Sequence, residues 1–230
     1  MTTYVLVHGA WGGAHGFRRV RPLLAAHGHE VFTPSLTGIG ERSHLASPQV
    51  NLTTHIQDVV NVVWYEDLRD VVLLGFSYGG MVVTGAVSHL ADRVRHLVYL
   101  DAFLPDDGQS LYDITGQPGG RVLGLGEQWL VPPRPREYDS EDEAAYAVPR
   151  RTSHPVGCFT EPVRLPQSLE SYPFSRTYIK ATAAAEPKVF WDAAERARTS
   201  PAWRHREIET DHLVPINRPE ELTEMLLELA

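Results

Sequence analysis

The chain has 230 residues, of which 43% are hydrophobic and 22% charged; that is the profile of one folded domain, or of a domain with an insertion, and not of a disordered chain. Its 21 Lys and Arg against 29 Asp and Glu leave a net charge of −8, which argues against a nucleic-acid partner because no basic stripe is present to follow a phosphate backbone. The single cysteine, Cys158, excludes an internal disulfide framework and a multi-cysteine metal cage.

The first elements follow in quick alternation. Thr2-Thr3-Tyr4 leads directly into Val5-Leu6-Val7, a short apolar strand ending at His8-Gly9. A leader would need a basic start and a longer apolar core, so the expected compartment is the cytoplasm. Phe17, Val20, Leu23 and Leu24 recur at helical spacing, and Gly28 stops that helix. Val31-Phe32-Thr33 predicts a second strand, closed by Pro34. Ile56, Val59, Val60, Val63 and Trp64 predict the next helix, with Thr54 and Gln57 at capping-box spacing. Val71–Phe76 reads as a fully buried strand, Met81–Leu90 as a helix and His96–Leu100 as a strand. None of these apolar runs approaches the roughly 20 residues that span a bilayer, so no membrane partner is expected. Strand and helix alternating in this way predict an α/β fold with a mostly parallel sheet covered on both faces.

Residues 102–175 break the rhythm and hold ten of the 17 prolines. Ser140–Ala147 predicts a short acidic helix within them. Long insertions in compact domains serve more often as lids than as idle loops. The expected division is therefore a core of residues 1–104 and 176–230 with a cap over 105–175. The rhythm returns with a strand at Thr177-Tyr178-Ile179, a helix over Lys188–Arg198 and a strand over Arg204–Ile208. A last helix over Glu220–Leu229 carries Leu222, Met225, Leu226 and Leu229 on one face, with Pro219 in its first turn.

The most informative segment is Gly75-Phe76-Ser77-Tyr78-Gly79, a G-x-S-x-G between a buried strand and a helix. A serine on a tight strand-to-helix turn needs neighbours without side chains, and the turn aims the first helical N–H groups at the space above the hydroxyl. That is the arrangement of a nucleophile, and a hydroxyl nucleophile needs a base beside it. His212 is the leading candidate among eleven histidines, because it lies in the loop between the last strand and the last helix. Negative charge developing at the reacting centre would be held by the backbone N–H groups of Ala10 and Tyr78. His8, at the end of the first strand, reads as a supporting hydrogen-bonding residue and not as a base. There is no Walker lysine, dinucleotide fingerprint or His-Glu-x-x-His stretch, so no cofactor and no metal are expected. The pairs His27/His29 and His154/Cys158 read as surface polarity.

Taken together, Val5–Trp11, Leu36–Leu45, Thr54–Asp58, Gly75–Met81, Tyr99–Pro105 and the His212 loop resemble the α/β-hydrolase superfamily. They are most similar to its branch of small esterases, which includes plant salicylate-binding methyl esterases and hydroxynitrile lyases, and especially to the bacterial members. The resemblance covers nearly the whole chain and is weakest over residues 115–175. It implies an α/β-hydrolase fold, Ser77 as nucleophile, His212 as base, Ala10 and Tyr78 as oxyanion donors, and a hydrolase or esterase activity. Phe76 departs from the His usual before the nucleophile in this branch. Leu213 stands where the lyases carry Lys, which weighs against lyase chemistry. Many relatives place the triad acid after the strand equivalent to Thr177–Ala181, where this chain offers only Glu186. Others place it one strand earlier, at the position of Asp101. Asp101 is the preferred acid, with Glu186 second and Asp106 third.

The expected reaction is cleavage of a small apolar or aromatic carboxylic ester or lactone through an acyl-enzyme, as in a serine carboxylesterase. Trp11, Phe103 and Trp129 are the expected substrate-binding residues. Leu111, Tyr112, Leu125, Tyr146 and Phe159 are further candidates for an apolar lining. Glu41, Arg42 and His44 suit a salt-bridged loop better than a pocket rim. The partner is a small-molecule ester, and the protein is a monomer or homodimer. The rival readings are a hydrolase-fold binding protein with little turnover, and a lyase or cyclase using the same pocket.

Overall fold

The computed structural model describes residues 1–117, 127–183 and 187–230. Its elements in chain order are β1 (Thr3–Val7), α1 (Val20–Ala26), β2 (Glu30–Phe32), α2 (Leu52–Tyr65), β3 (Val71–Phe76), α3 (Gly79–Leu90) and β4 (Val94–Leu100). Then come α4 (Leu111–Thr115), β5 (Leu130–Val131), α5 (Glu141–Ala147), β6 (His154–Pro155) and α6 (Gly157–Thr160). The chain ends with β7 (Ser175–Ala181), α7 (Lys188–Thr199), β8 (Arg204–Ile208), α8 (Val214–Asn217) and α9 (Pro219–Leu227).

Six strands form one sheet in the order β2-β1-β3-β4-β7-β8, and every neighbouring pair is parallel. A parallel sheet needs cover on both faces, and the alternation of side chains shows how it is obtained. Val5, Val7, Leu73, Leu97 and Tyr99 point to one core, built with α2, α3 and α7. Tyr4, Leu6, Leu74, Val98 and Leu100 point to the other, built with α1 and α9. The chain leaves β1 towards β2 on one side and passes to β3 on the other. Strand order thus reverses between β1 and β3, the place where open α/β sheets collect ligands beyond their carboxyl ends.

The expected elements differ from the observed ones mainly at their starts. Helix α2 begins at Leu52, not near Ile56, because the Asn51 side chain accepts from the Thr54 N–H and the Thr54 hydroxyl completes the capping box. The box therefore uses Asn51 and Thr54 in place of Thr54 and Gln57. Phe17 lies in a separate 3-10 turn ahead of α1. A short α8 precedes the terminal helix.

Between β4 and β7 the described residues make short helices and a two-stranded antiparallel ladder, β5 with β6. Several contacts tie this segment to the core. The Glu143 carboxylate, on α5, accepts from Arg18 at 2.6 Å and from Arg19 at 2.9 Å. The Trp11 indole N–H donates to the Val131 carbonyl at 3.0 Å. Among the described residues no helix is long and apolar enough to cross a membrane.

Candidate active site

Ser77 sits between β3 and α3 with φ at +55°, a conformation uncommon for any residue with a side chain. The turn closes only because its flanks are bare. A Cβ on Gly75 would come within 2.6 Å of the Gly79 carbonyl oxygen, and one on Gly79 within 2.5 Å of the Val7 carbonyl oxygen. Ser77 is stitched to the next strand by its N–H, which donates to the Leu100 carbonyl at 3.2 Å, and by its own carbonyl, which accepts from the Phe103 N–H at 3.2 Å.

Asp101 directly follows β4, also with positive φ, and is 2% exposed. His212 comes from the loop between β8 and α8. Its Nδ1 lies 2.6 Å from Asp101 Oδ2, and its Nε2 lies 2.9 Å from Ser77 Oγ. A carboxylate only accepts, so its neighbour assigns the ring proton to Nδ1 and leaves Nε2 as the acceptor facing the Ser77 hydroxyl. The ring is held on both sides by aromatics. Phe190 of α7 stacks on it with centroids 5.1 Å apart, and Phe76 lies against it at 4.8 Å. Phe76, the residue that departs from the related esterases, thus packs on the imidazole.

The second Asp101 oxygen, Oδ1, accepts from Lys180 Nζ at 2.8 Å and from the Ala181 N–H at 3.3 Å. Lys180 lies on β7, is only 2% exposed, and has its ammonium 4.4 Å from the centre of the Trp191 ring. Burial opposes ionisation of Asp101, but the His212 and Lys180 contacts outweigh it and hold its pKa below the usual carboxylate value. Burial lowers the His212 pKa below 6.5, against an opposing pull from Asp101.

Above Ser77 lies a cavity of about 270 Å³ bordered by Ala10, Trp11, Tyr78, Phe103, Phe159 and Phe190, among others. Among the described residues neither the Ala10 nor the Tyr78 N–H has a protein acceptor. Two backbone donors with no acceptor, a hydroxyl and an acceptor imidazole therefore meet at one cavity, the set of parts that acyl transfer requires.

The other expected residues are placed as follows. Trp11, Phe103, Leu111 and Phe159 border the cavity. Trp129 does not: it ends a 3-10 turn running into β5, and its carbonyl accepts from the Val156 N–H in the small ladder. Aromatic composition in a cap does not say which way a ring faces, and here the local ladder takes the residue. Tyr146 lies instead between the Arg18 and Arg150 guanidiniums, each 4.0 Å from its ring centre. Asp106 pairs with Arg196 at 2.8 Å and is 66% exposed, so it is not at the imidazole. Glu186 and Leu125 lie outside the described residues. Arg42 pairs with Asp58 at 3.1 Å, and Glu41 accepts from the Ser35 hydroxyl, so that loop is internally bonded. His8 donates from Nδ1 to the Gly9 carbonyl and accepts at Nε2 from the Leu36 N–H; its burial pushes its pKa down to about 4.

His154 and Cys158 are not surface polarity. Both are fully buried, and His55 joins them in the one group of three possible ligand atoms within 4.8 Å of one another among the described residues. Within the group His55 is already bonded for another purpose, while His154 Nε2 has no hydrogen-bond partner among the described residues. His55 Nε2 donates to the Thr37 carbonyl at 2.8 Å and its Nδ1 accepts from the Tyr78 hydroxyl at 2.9 Å, which anchors the side chain next to Ser77. Lys180, Phe190 and His55 were all missed from sequence. Each is brought in by contacts across long separations; Lys180 and Phe190 stand in no motif, and His55 lies in the Thr54–Asp58 segment that carries the resemblance without a local signal of its role.

Comparison with known proteins agrees with this architecture. The model of the Alpha/beta hydrolase family matches residues 4–225. The carbendazim hydrolyzing esterase of Nocardioides sp. (strain SG-4G) is 33% identical over 243 positions, covering 100% of both chains. Methylesterase 8 of Arabidopsis thaliana is 32% identical over 117 residues, 46% of this chain and 40% of that protein. Among solved structures, an extracellular alpha/beta-hydrolase from a Paenibacillus species superposes with a TM-score of 0.80 at 22% identity, covering 100% of this chain and 99% of that one. An Arabidopsis methylesterase does so with a TM-score of 0.80 at 24% identity, covering 99% and 98%. Matched from its first strand to its last helix, and built on a parallel sheet with a serine turn beyond β3, the chain belongs to the alpha/beta hydrolase family.

Proposed function

We propose that this protein is a serine hydrolase that cleaves a small carboxylic ester, with Ser77 as nucleophile, His212 as general base and acid, and Asp101 as the group that orients it. The observation that carries the reading is the continuous line of contacts from Ser77 Oγ to His212 Nε2 at 2.9 Å and from His212 Nδ1 to Asp101 Oδ2 at 2.6 Å. The names of the relatives support it, since they include an esterase and methylesterases.

In the first step Ser77 Oγ attacks the ester carbonyl carbon as its proton passes to His212 Nε2. The carbonyl oxygen takes up the electron pair and is held by the Ala10 and Tyr78 N–H groups. The intermediate collapses, the bond to the leaving oxygen breaks, and His212 returns the proton to the departing alcohol. Water then attacks the acyl-Ser77 ester, again giving its proton to His212, and the acid and the free hydroxyl are regenerated. Asp101 keeps its charge throughout and stabilises the imidazolium. The described residues of the 105–175 segment act as a cap, Leu111, Arg134, Arg151 and Phe159 among them bordering the cavity.

Incubation with a fluorophosphonate should add one label, on Ser77, and short nitrophenyl esters should release nitrophenol. Ser77→Ala should abolish both. An unlabelled protein, or a Ser77→Ala variant that retains turnover, would overturn the assignment.

A further inference from the structure

Arg134, Arg136 and Arg151 border the same cavity as Ser77 and His212. Arg134 and Arg136 lie on the loop between β5 and α5, and Arg151 directly follows the 3-10 turn after α5. Among the described residues none of the three has a carboxylate at ion-pairing distance. Arg151 Nη1 donates to the backbone carbonyl of Arg134 at 2.6 Å, a contact that leaves both positive charges without an ion-paired carboxylate. Partial desolvation, and then Arg151, lower the Arg136 pKa against opposing pulls from Tyr138 and Asp211, and Arg136 acts electrostatically on His212 as well.

Other arginines of the chain are held by carboxylates or by backbone carbonyls, Arg95 and Arg176 by the latter. Acids outnumber bases by 29 to 21, and Arg18, Arg19, Arg42, Arg93 and Arg196 all find carboxylates. Counter-charges are therefore plentiful, yet among the described residues the three cavity arginines have only the Asp211 carboxylate, which acts on Arg136 from beyond ion-pairing distance. Arg134 and Arg136 are exposed and Arg151 is half-buried, so solvent screens part of their mutual repulsion, and an anion entering the cavity would relieve the rest. The planar guanidinium fork suits a carboxylate, which it can hold by two parallel charge-assisted hydrogen bonds. The remaining wall, with Phe103, Leu111, Phe159 and Phe190, is apolar.

We infer that Arg134, Arg136 and Arg151 form a carboxylate subsite, so that the ester this enzyme cleaves carries a second, ionised acid group across a short apolar spacer. The inference rests on the ester-hydrolysis reading for its substrate class, and it narrows the apolar or aromatic ester expected from sequence to an anionic half-ester.

The test uses matched pairs that differ only in charge. Monomethyl terephthalate is set against methyl 4-carbamoylbenzoate, which puts the carboxylate on the acyl side. 4-Acetoxybenzoate is set against 4-acetoxybenzamide, which puts it on the leaving group. In at least one pair the carboxylate member should show kcat/KM higher by about tenfold or more, the scale of a charge-assisted hydrogen bond. Raising salt to about 0.5 M should shrink the ratio, and Arg136→Gln with Arg151→Gln should bring it close to one. Equal or better hydrolysis of the neutral member in both pairs, or a ratio unchanged in the double variant, would overturn the subsite.

Calorimetry on the Ser77→Ala protein separates this inference from the hydrolase reading, because it needs no turnover. Tighter binding of the carboxylate member, lost when the two arginines are also replaced, would sustain the subsite even if the wild type hydrolysed nothing. Turnover of both members with no difference in rate or binding would sustain the hydrolase and remove the subsite.

Discussion

Replacing Lys180 by Met keeps most of the side chain's length and removes its charge. Lys180 Nζ stands 2.8 Å from Asp101 Oδ1, and His212 Nδ1 stands 2.6 Å from Asp101 Oδ2. Ammonium and imidazole thus face each other across one carboxylate at about 6 Å, where two unit charges at an effective dielectric of about 20 repel by about 2.8 kcal/mol, or about two pH units of titration. Removing the ammonium lets Asp101 favour the protonated ring more strongly, so the His212 pKa rises. The base must be neutral to act, so the acidic limb of kcat/KM moves to higher pH, by up to that amount. Stability falls too. Removing one partner of a buried ion pair costs about 3–5 kcal/mol, and here the loss lies at the lower end because the Ala181 N–H and His212 still hold the carboxylate. The assays are the pH dependence of hydrolysis for wild type and Lys180→Met, and urea unfolding of both at neutral pH. A folded variant whose acidic limb is unmoved, or moved to lower pH, would refute the claim that Lys180 restrains the charge felt by His212.

Asp101→Asn should lower kcat by about three to four orders of magnitude with little change in KM, because the amide no longer fixes the ring tautomer; steady-state kinetics on a nitrophenyl ester decides it. In the wild type the acidic limb of kcat/KM should fall below pH 6.5, since burial lowers the His212 pKa from that value. The Asp101 carboxyl titrates below its unfolded value, so its ionisation stabilises the fold above about pH 4 and that contribution is lost as pH falls through the lower folded value. Asp101→Asn should therefore flatten the acid arm of the stability profile measured by thermal melts. Glu143→Gln should loosen the attachment of α5 to the core at a cost of about 1–2 kcal/mol, discounted because Arg18 and Arg19 are partly exposed. Faster proteolytic nicking within residues 127–160, with the rest of the fold intact, would show it.

The parts of the site that could be read from sequence are those that local chemistry marks. The apolar run ending at Gly75 and the bare residues around Ser77 announce the turn, and the position of His212 between the last strand and helix follows the chain order of the related esterases. Asp101 was reached through that resemblance and not through any local pattern. Lys180 was invisible because alternation along a strand makes a Lys look solvent-facing, whereas β7 lies between β4 and β8 with both faces covered. Phe190 belongs to the apolar stripe of α7, and nothing in its spacing separates packing on a helix from packing on an imidazole. The pairing of His55 with Cys158 spans 103 residues, a closure that only the tertiary fold supplies. Fold was more legible than site, since periodicity repeats along each element while a side chain's direction in the cap does not.

Ser77 and Asp101 follow neighbouring strands, in register at Phe76 and Leu100, and each is sewn to the next strand by its own N–H. Their spacing is set by the rungs of the sheet, while the imidazole that joins them hangs from a loop. Gentle warming would therefore dislodge the joining ring first and leave its two anchors in place. Such a protein would fall silent while still compact, and recover on cooling as soon as one side chain swung home.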